Sequence, residues 1–278
     1  MNKQYQELKV EEGTFIPQPV MDYPQENPYE RTLFPKQIKH IEFDEHYPYR
    51  FNLLWGYYIV IHIFLRLKTR IQMGLRIRGR EVLKKYKKEL ANGAITICNH
   101  VYRLDCPCVL LAVKGVHTTR VPMFAPNFRT KDGFFMRLAG GVPIPDSTTN
   151  MTALKKFNEA FDEFNRRGWW MHIFPEACRW DFYKPLRPFQ KGAFTMSYKY
   201  NKPILPCVIT YRERKGIFRL FGKKEMPLLT ITIGEPIFPD TTQPRKTEVE
   251  RLREVAHNQM TKMAGITHNP WPVAWGNQ

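Results

Sequence analysis

Apolar runs of strand length alternate with helical patterns through the middle of the chain, and this alternation most constrains its fold. The helical patterns lie at about 105–115, 150–167 and 191–200, and in the second of them large apolar residues recur at intervals of three and four. The strand-like runs are GAITIC (93–98), RVPMFA (120–125), WWMHIF (169–174), ILPCVIT (204–210) and LLTITIG (228–234). Such alternation predicts an α/β fold, with a mixed, largely parallel central sheet flanked by helices.

Four segments follow from the composition along the chain. Residues 1–50 are rich in proline and tyrosine, which predicts an extended N-terminal arm. Residues 51–80 are first apolar and then basic, and residues 81–240 carry the alternating pattern of the α/β domain. Residues 241–278 contain a charged helix and an irregular tail.

The segment 51–80 combines the features of a membrane-interface helix. From Leu53 to Leu65 the run is interrupted only by Gly56 and His62, and its 13 residues are fewer than the roughly 20 that a span needs. The basic residues that follow are Arg66, Lys68, Arg70, Arg76, Arg78 and Arg80. An apolar helix followed by basic residues is typical of segments that lie in the interface of an anionic membrane. The alternative is a buried core helix with a basic loop after it.

The formal net charge of +17 indicates an anionic partner. Nucleic acid, anionic lipid and phosphorylated substrates are the candidates, and a solvated basic surface is the alternative. No specific nucleic acid is expected, because the sequence has no helix-turn-helix, RRM or zinc-finger signature. The five cysteines favour reduced thiols in a cytosol, and the first residues lack the apolar core of a signal peptide.

A histidine and an aspartate follow the first apolar run, in the stretch NHVYRLD. Asn99 and His100 come at the end of GAITIC, and Asp105 comes near the start of the next helical pattern. A carboxylate beside a histidine fixes the ring tautomer and stabilises the imidazolium, so the pair can act as a general base. The alternative for Asp105 is a capping role at the helix N-terminus. Since no Gly-x-Ser-x-Gly motif is present, such a base would act on a hydroxyl of a substrate.

A second polar group follows the run WWMHIF. Glu176 and Arg179 come just after Pro175, where an α/β fold places its functional sites. Arginine suits bidentate recognition of phosphate or carboxylate. The alternative is that Glu176 and Arg179 form a structural salt bridge with each other.

In their order and spacing these motifs resemble the glycerolipid acyltransferase family, whose best-known members are 1-acyl-sn-glycerol-3-phosphate (lysophosphatidic acid) acyltransferases. The resembling blocks are NHxxxxD, then FPExxR, RPFQKGA and KPILPCVI. The lead-in RIRGREVLKKYKKELANGAITICNH is similar as well, and the resemblance covers about residues 70–235.

The resemblance implies an enzyme that moves a fatty acyl group from acyl-CoA or acyl carrier protein to a hydroxyl of a lysophospholipid, with 1-acyl-sn-glycerol 3-phosphate as the first candidate. His100 would be the base and Asp105 the group that orients it. The substrate-binding residues would be Asn99, Glu176, Arg179 and Lys191. No metal and no cofactor beyond the acyl donor are implied. The enzyme would act at the cytoplasmic face of the cell membrane, as a peripheral or monotopic protein.

Two blocks depart from the family pattern. The third block usually reads Phe-Pro-Glu-Gly-Thr-Arg, and here Ala177 and Cys178 replace the glycine and the threonine. The second block usually ends in an arginine that helps bind glycerol phosphate, and here Asp146 stands there. A different basic residue would then bind the phosphate, or the acceptor is a different lipid, or the protein is a catalytically silent lipid-binding relative. The basic candidates are Arg120, Arg129, Lys131 and Arg137.

Overall fold

The computed structural model describes residues 42–113, 118–145, 150–177, 179–180, 182–221 and 226–274. Residues 1–41 of the predicted arm, and the positions Asp146 and Cys178, lie outside the described residues. The last part of the arm packs on the body of the protein, since Phe43 and Tyr49 are buried.

Seven strands form one central sheet in the order β1-β7-β6-β2-β5-β3-β4. They are β1 (Arg76–Arg78), β2 (Ile95–Cys98), β3 (Thr119–Met123), β4 (Gly141–Pro143), β5 (Trp170–Ile173), β6 (Ile204–Arg212) and β7 (Leu228–Ile233). Neighbouring strands in this described sheet run parallel, except that β6 and β7 run antiparallel. The predicted mixed, largely parallel sheet is therefore confirmed.

Helices cover both faces of the sheet. They are α1 (Leu54–Tyr58), α2 (Arg66–Met73), α3 (Arg80–Lys85), α4 (Asp105–Ala112), α5 (Gly133–Leu138), α6 (Met151–Arg166), α7 (Gly192–Tyr200) and α8 (Arg245–Met263). On one face, Phe161 of α6, Phe194 of α7 and Leu252 of α8 belong to one buried cluster with the sheet. On the other face, Val82 of α3 and Val109 of α4 belong to a second cluster. These helices thus bury apolar side chains against the sheet, as a layered α/β domain requires.

A π-helical segment (Ile59–Leu65) joins α1 to α2, so residues 54–73 form one continuous helix, here called the apolar helix. One side of it is in the core, because Tyr57 and Ile61 are buried against α4 and β3. The opposite side exposes Trp55, Ile63, Phe64 and Leu67, each by 59–65%. The core interpretation therefore holds for one side, while membrane contact by the other side stays a prediction. None of the described helices has the length and apolar character needed to span a bilayer.

The sheet begins earlier in the chain than the predicted boundary at residue 81. Strand β1 lies within the segment 51–80 and pairs with β7, with Ile77 opposite Ile231. Gly79 follows β1 with a φ of +80°, and a Cβ at this position would collide with the carbonyl oxygen of Ile233. Glycine is needed there because the chain turns away from the edge of the sheet at close contact with β7.

Candidate active site

The two polar motifs meet at one edge of the sheet because their strands are parallel neighbours. Strands β2 and β5 pair with Ile97 opposite Ile173. His100 follows the end of β2 by two residues, and Phe174 follows the end of β5 directly. The carboxyl ends of parallel strands are where α/β folds place their sites, and this edge carries the candidate site.

His100 and Asp105 are in direct contact. The Nδ1 atom of His100 lies 2.7 Å from Oδ2 of Asp105. The Asp105 side chain is 1% exposed, whereas the His100 side chain is 22% exposed. A carboxylate at Nδ1 selects the tautomer in which Nδ1 carries the proton, which leaves Nε2 as the proton acceptor. The predicted dyad geometry is thus present, with the ring accessible and the carboxylate shielded.

Asp105 also holds the main chain around it. Its Oδ2 atom accepts hydrogen bonds from the backbone N–H groups of Val101 (2.9 Å) and Tyr102 (3.2 Å). Its Oδ1 atom accepts one from Cys106 N–H at 2.7 Å. These donors satisfy the hydrogen-bonding capacity of the buried carboxylate. The capping and dyad interpretations are therefore compatible, because the same carboxylate organises the start of α4 and orients His100.

Aromatic rings define the plane of the His100 imidazole. The ring of Phe174 stacks on it, with centroids 4.0 Å apart and planes inclined by 14°. The edge of His172 meets Phe174 in turn, with centroids 4.5 Å apart. Burial lowers the pKa of His172 to about 4, so this second histidine is neutral at neutral pH. Its Nδ1 atom lies 2.9 Å from the hydroxyl of Thr96.

Glu176 forms a buried ion pair with Arg187 rather than standing alone in the site. Its Oε2 atom accepts hydrogen bonds from Arg187 Nη2 (2.9 Å) and from the backbone N–H of His100 (3.1 Å). Its Oε1 atom accepts one from the backbone N–H of Arg187 at 3.2 Å. Both side chains are at most 3% exposed. Glu176 therefore connects the RPFQKGA segment to the backbone of His100.

Arg187 is the residue that the sequence reasoning missed. Its guanidinium group lies over the ring of Trp180, 4.7 Å from the centroid. The backbone N–H of Trp180 in turn donates to the carbonyl oxygen of His100 at 3.0 Å. The sequence signal for Arg187 is its place at the start of the RPFQKGA block, and this signal does not identify its partner.

Asn99 and Arg179 lie beside this arrangement. Asn99 is buried, and its amide bridges β2 to β6 by donating to Ile209 O (3.0 Å) and accepting from Ile209 N–H (2.8 Å). The observed role of Asn99 is thus to hold the end of β2. Arg179 directly precedes Trp180 and is partly exposed, at the point where the chain passes His100. Contacts of either residue with a substrate stay predictions.

Lys191 lies at the start of α7 and pairs with Glu250 of α8, with Nζ 2.9 Å from Oε1. Its role in substrate binding stays a prediction, and the observed contact joins two helices.

The basic residues considered for phosphate binding pack mainly on aromatic rings. Arg120 is 2% exposed, and its guanidinium carbon lies 4.6 Å from the ring centroid of Trp169. Arg120 in β3 pairs with Met171 in β5, and Met171 pairs with Ile95 in β2. Ile95 is three residues before the end of β2, so Arg120 lies roughly 10 Å below the sheet edge that carries His100. Arg129 lies over the ring of Phe43, Arg137 lies over Phe51, and Lys131 is exposed. Arg120 is thus placed within the core, away from His100.

Ala177, which stands where the family has glycine, adopts a left-handed conformation with a φ of +61°. Its backbone N–H donates to Phe174 O at 3.1 Å, which closes a turn through Pro175 and Glu176. Residues other than glycine adopt the left-handed conformation only with strain.

Comparison with protein-family models decides the class of this domain. Residues 74–210 match the family model described as Acyltransferase. This part of the chain is an acyltransferase domain. The match spans both motifs, from before His100 to beyond Arg187, and confirms the family that the motifs indicated.

The chain was also compared with solved structures and with curated proteins. Among solved structures, this chain is similar to the 1-acyl-sn-glycerophosphate (LPA) acyltransferase PlsC from Thermotoga maritima. The identity is 17%, the match covers 77% of this chain and 94% of that chain, and the TM-score is 0.41. Comparison with curated proteins found no match.

Chemically, the acyltransferase domain presents one accessible base and a rigid frame behind it. The frame fixes the His100 ring at Nδ1 through Asp105, on its face through Phe174 and at its backbone through Glu176. Such a fixed imidazole can remove a proton from a hydroxyl placed next to Nε2.

Proposed function

We propose that the protein transfers a fatty acyl group from the thioester of acyl-CoA or acyl carrier protein to a hydroxyl of a lysophospholipid. The first candidate acceptor is 1-acyl-sn-glycerol 3-phosphate. The observation that carries the proposal is the 2.7 Å contact between Asp105 and an accessible His100, at the sheet edge of an acyltransferase domain.

Proton transfer is the step in which the dyad acts. His100 Nε2 takes the proton of the acceptor hydroxyl as its oxygen attacks the thioester carbonyl carbon, and Asp105 stabilises the imidazolium. When the tetrahedral intermediate collapses, the C–S bond breaks and the thiolate takes the proton from His100. The products are the acylated lipid and the free thiol. The thioester is already activated, so no covalent enzyme intermediate is required.

The site would work on lipid at a membrane surface. Support comes from the net charge of +17 and from the exposed apolar side of the apolar helix, which carries Ile63 and Leu67 beside Arg66 and Arg70. Apolar side chains interleaved with basic ones suit the interface of an anionic leaflet. We place the protein at the cytoplasmic face of the cell membrane, held peripherally or monotopically.

Acyl transfer to a panel of lysophospholipids tests the acceptor. Purified protein is incubated with vesicles, labelled acyl-CoA or acyl carrier protein, and a panel of lysophospholipids that differ in headgroup. We expect acylated lysophosphatidate with one of the two donors. Acylation of a different lysolipid, and not of lysophosphatidate, would assign another acceptor and would agree with the presence of Asp146 where the family pattern has a phosphate-binding arginine. Release of thiol without any acylated lipid would identify a thioesterase and refute the proposal.

A further inference from the structure

The loop that joins β6 to β7 ends in an exposed apolar surface that the catalytic site does not use. Residues 213–221 form this surface, here called the hairpin tip, and Gly216–Leu220 within it is a 3-10 helix. Ile217 is 65% exposed, Leu220 is 79% exposed and Phe221 is 41% exposed. Leu220 has the largest exposed fraction of the large apolar side chains in the described ranges. Apolar side chains clustered in this way mark an interaction surface.

A single buried arginine holds the backbone of the hairpin tip. Arg214 is 5% exposed, and its Nη1 atom donates to the carbonyl oxygens of Phe218 (2.7 Å) and Phe221. Its Nε atom donates to Met226 O at 2.7 Å. Backbone carbonyls that enter an apolar environment need hydrogen-bond donors from the protein, because water is absent there. The tip therefore carries its own donor for carbonyls that lie next to its apolar side chains.

The hairpin tip is continuous with the apolar helix. Arg214 Nη2 donates to the carbonyl oxygen of Gln72, in the last turn of α2, at 2.7 Å. Arg212 Nη2 donates to Gly74 O directly after the helix, and the Phe218 ring lies against Gly74. The two exposed apolar surfaces thus belong to adjoining elements tied by hydrogen bonds.

The charged residues on and beside the hairpin tip indicate the chemistry of the surface that it binds. Of the basic residues in the tip, Arg214 is buried, whereas Arg219 and Lys215 are exposed, Lys215 by 71% although it pairs with Glu213 at 2.7 Å. The adjoining end of α2 adds Arg70. Basic residues around exposed leucine, isoleucine and phenylalanine match the headgroup region of an anionic leaflet.

From these observations we infer that the hairpin tip is a second membrane-docking element, which inserts Ile217, Leu220 and Phe221 into an anionic bilayer next to the apolar helix. The inference rests on the proposed membrane-surface function and extends it, because the described hydrogen bonds of His100, Asp105 and Glu176 do not involve residues 213–221. Two separate contacts fix the orientation of a protein on a surface, which one helix alone leaves free to rotate about its axis.

The test is binding of the full-length protein to vesicles of phosphatidylglycerol and phosphatidylcholine, measured by flotation without substrates. Leu220→Asp is compared with Val255→Asp, which makes the same change in charge at a 38% exposed position of α8, a helix on the other face of the sheet. We expect Leu220→Asp to weaken binding at least about tenfold and Val255→Asp to change it less than about twofold. Thermal unfolding of both variants checks that they are folded, and Ile217→Ser provides a second, milder change in the tip.

Several outcomes would overturn the inference. The inference is wrong if both Leu220→Asp and Ile217→Ser bind vesicles as tightly as the wild type. It is also wrong if Leu220→Asp and Val255→Asp weaken vesicle binding equally. A dimer that Leu220→Asp dissociates, with vesicle binding unchanged, would assign the tip to a second copy of the chain. Binding is scored without substrate, so a protein that docks through the tip but transfers no acyl group would refute the proposed function and leave the docking inference standing.

Discussion

The buried ion pair between Glu176 and Arg187 gives the sharpest prediction from the structure. In Glu176→Gln, one of the two oxygens becomes an NH₂ group. Since both oxygens accept hydrogen bonds from N–H donors, the new NH₂ must face a donor in either orientation. The Arg187 side chain, 3% exposed, keeps its positive charge without the carboxylate beside it.

The expected loss follows from breaking a buried pair from one side. Removal of one partner of a buried salt bridge typically costs about 3–5 kcal/mol, because an uncompensated charge stays buried. We expect Glu176→Gln to lower the free energy of unfolding by this amount in urea titrations at pH 7. Replacement of both partners, as Glu176→Gln with Arg187→Met, leaves no buried charge, and we expect the double variant to lose less than the sum of the two single variants.

The same variants separate a structural from a substrate-binding role for Glu176. If the only role of Glu176 is to contact substrate, Glu176→Gln raises KM and leaves the free energy of unfolding unchanged. On the structure, the variant loses stability in either orientation of the amide. It also lowers kcat where the new NH₂ group replaces Oε2, because the His100 backbone N–H then loses the 3.1 Å hydrogen bond that holds it. Lys191→Gln, which affects the half-exposed pair with Glu250, is the matched control and should change stability by less than about 1 kcal/mol. A loss below about 1 kcal/mol in Glu176→Gln, or full additivity in the double variant, would refute the reasoning.

Two further changes have defined outcomes. Ala177→Gly should raise the free energy of unfolding by roughly 0.5–1 kcal/mol. The gain comes from relief of the strain at a φ of +61°, and the larger conformational entropy that glycine loses on folding offsets part of it. An unchanged or lower urea midpoint would show that the turn is unstrained. The pKa of His172, lowered to about 4, lies below its unfolded value near 6.5, so the unfolded chain binds more protons as pH falls between these values and stability is lost. The free energy of unfolding of His172→Gln should therefore fall less between pH 6.5 and pH 4 than that of the wild type, by up to about 3 kcal/mol. Parallel curves of unfolding free energy against pH would contradict this.

The long elements of the fold could be predicted because their patterns are strong. Strand β6 is a continuous apolar run, and α6 buries Phe157, Phe161 and Phe164 at the spacing of one helical face. The three-residue strands β1 and β4 could not be predicted, because Arg76–Arg78 and Gly141–Pro143 are too short for a periodic pattern. Their pairing with β7 and β3 is a property of the assembled sheet and not of local sequence.

The candidate site was predictable as far as its residues are local. Asp105 is only five positions from His100 in the stretch NHVYRLD, so the contact between the two side chains can be predicted from the local sequence. The partner of Glu176 was not predictable in the same way: Arg179 is nearer in sequence, but the chain turns through Ala177 and returns at Arg187 to complete the pair. Likewise, the role of Asn99 depends on Ile209 in a neighbouring strand 110 positions away.

The central claim is that His100, oriented by Asp105, removes the proton of the acceptor hydroxyl. Its most direct test is the kcat for acyl transfer to the best acceptor by His100→Gln, with His46→Gln, at a histidine side chain that is 81% exposed, as the control. We expect His100→Gln to lower kcat by about 10²- to 10⁴-fold, and His46→Gln to keep the wild-type kcat. A His100→Gln protein that remains folded and keeps more than about a tenth of the wild-type kcat would contradict the account.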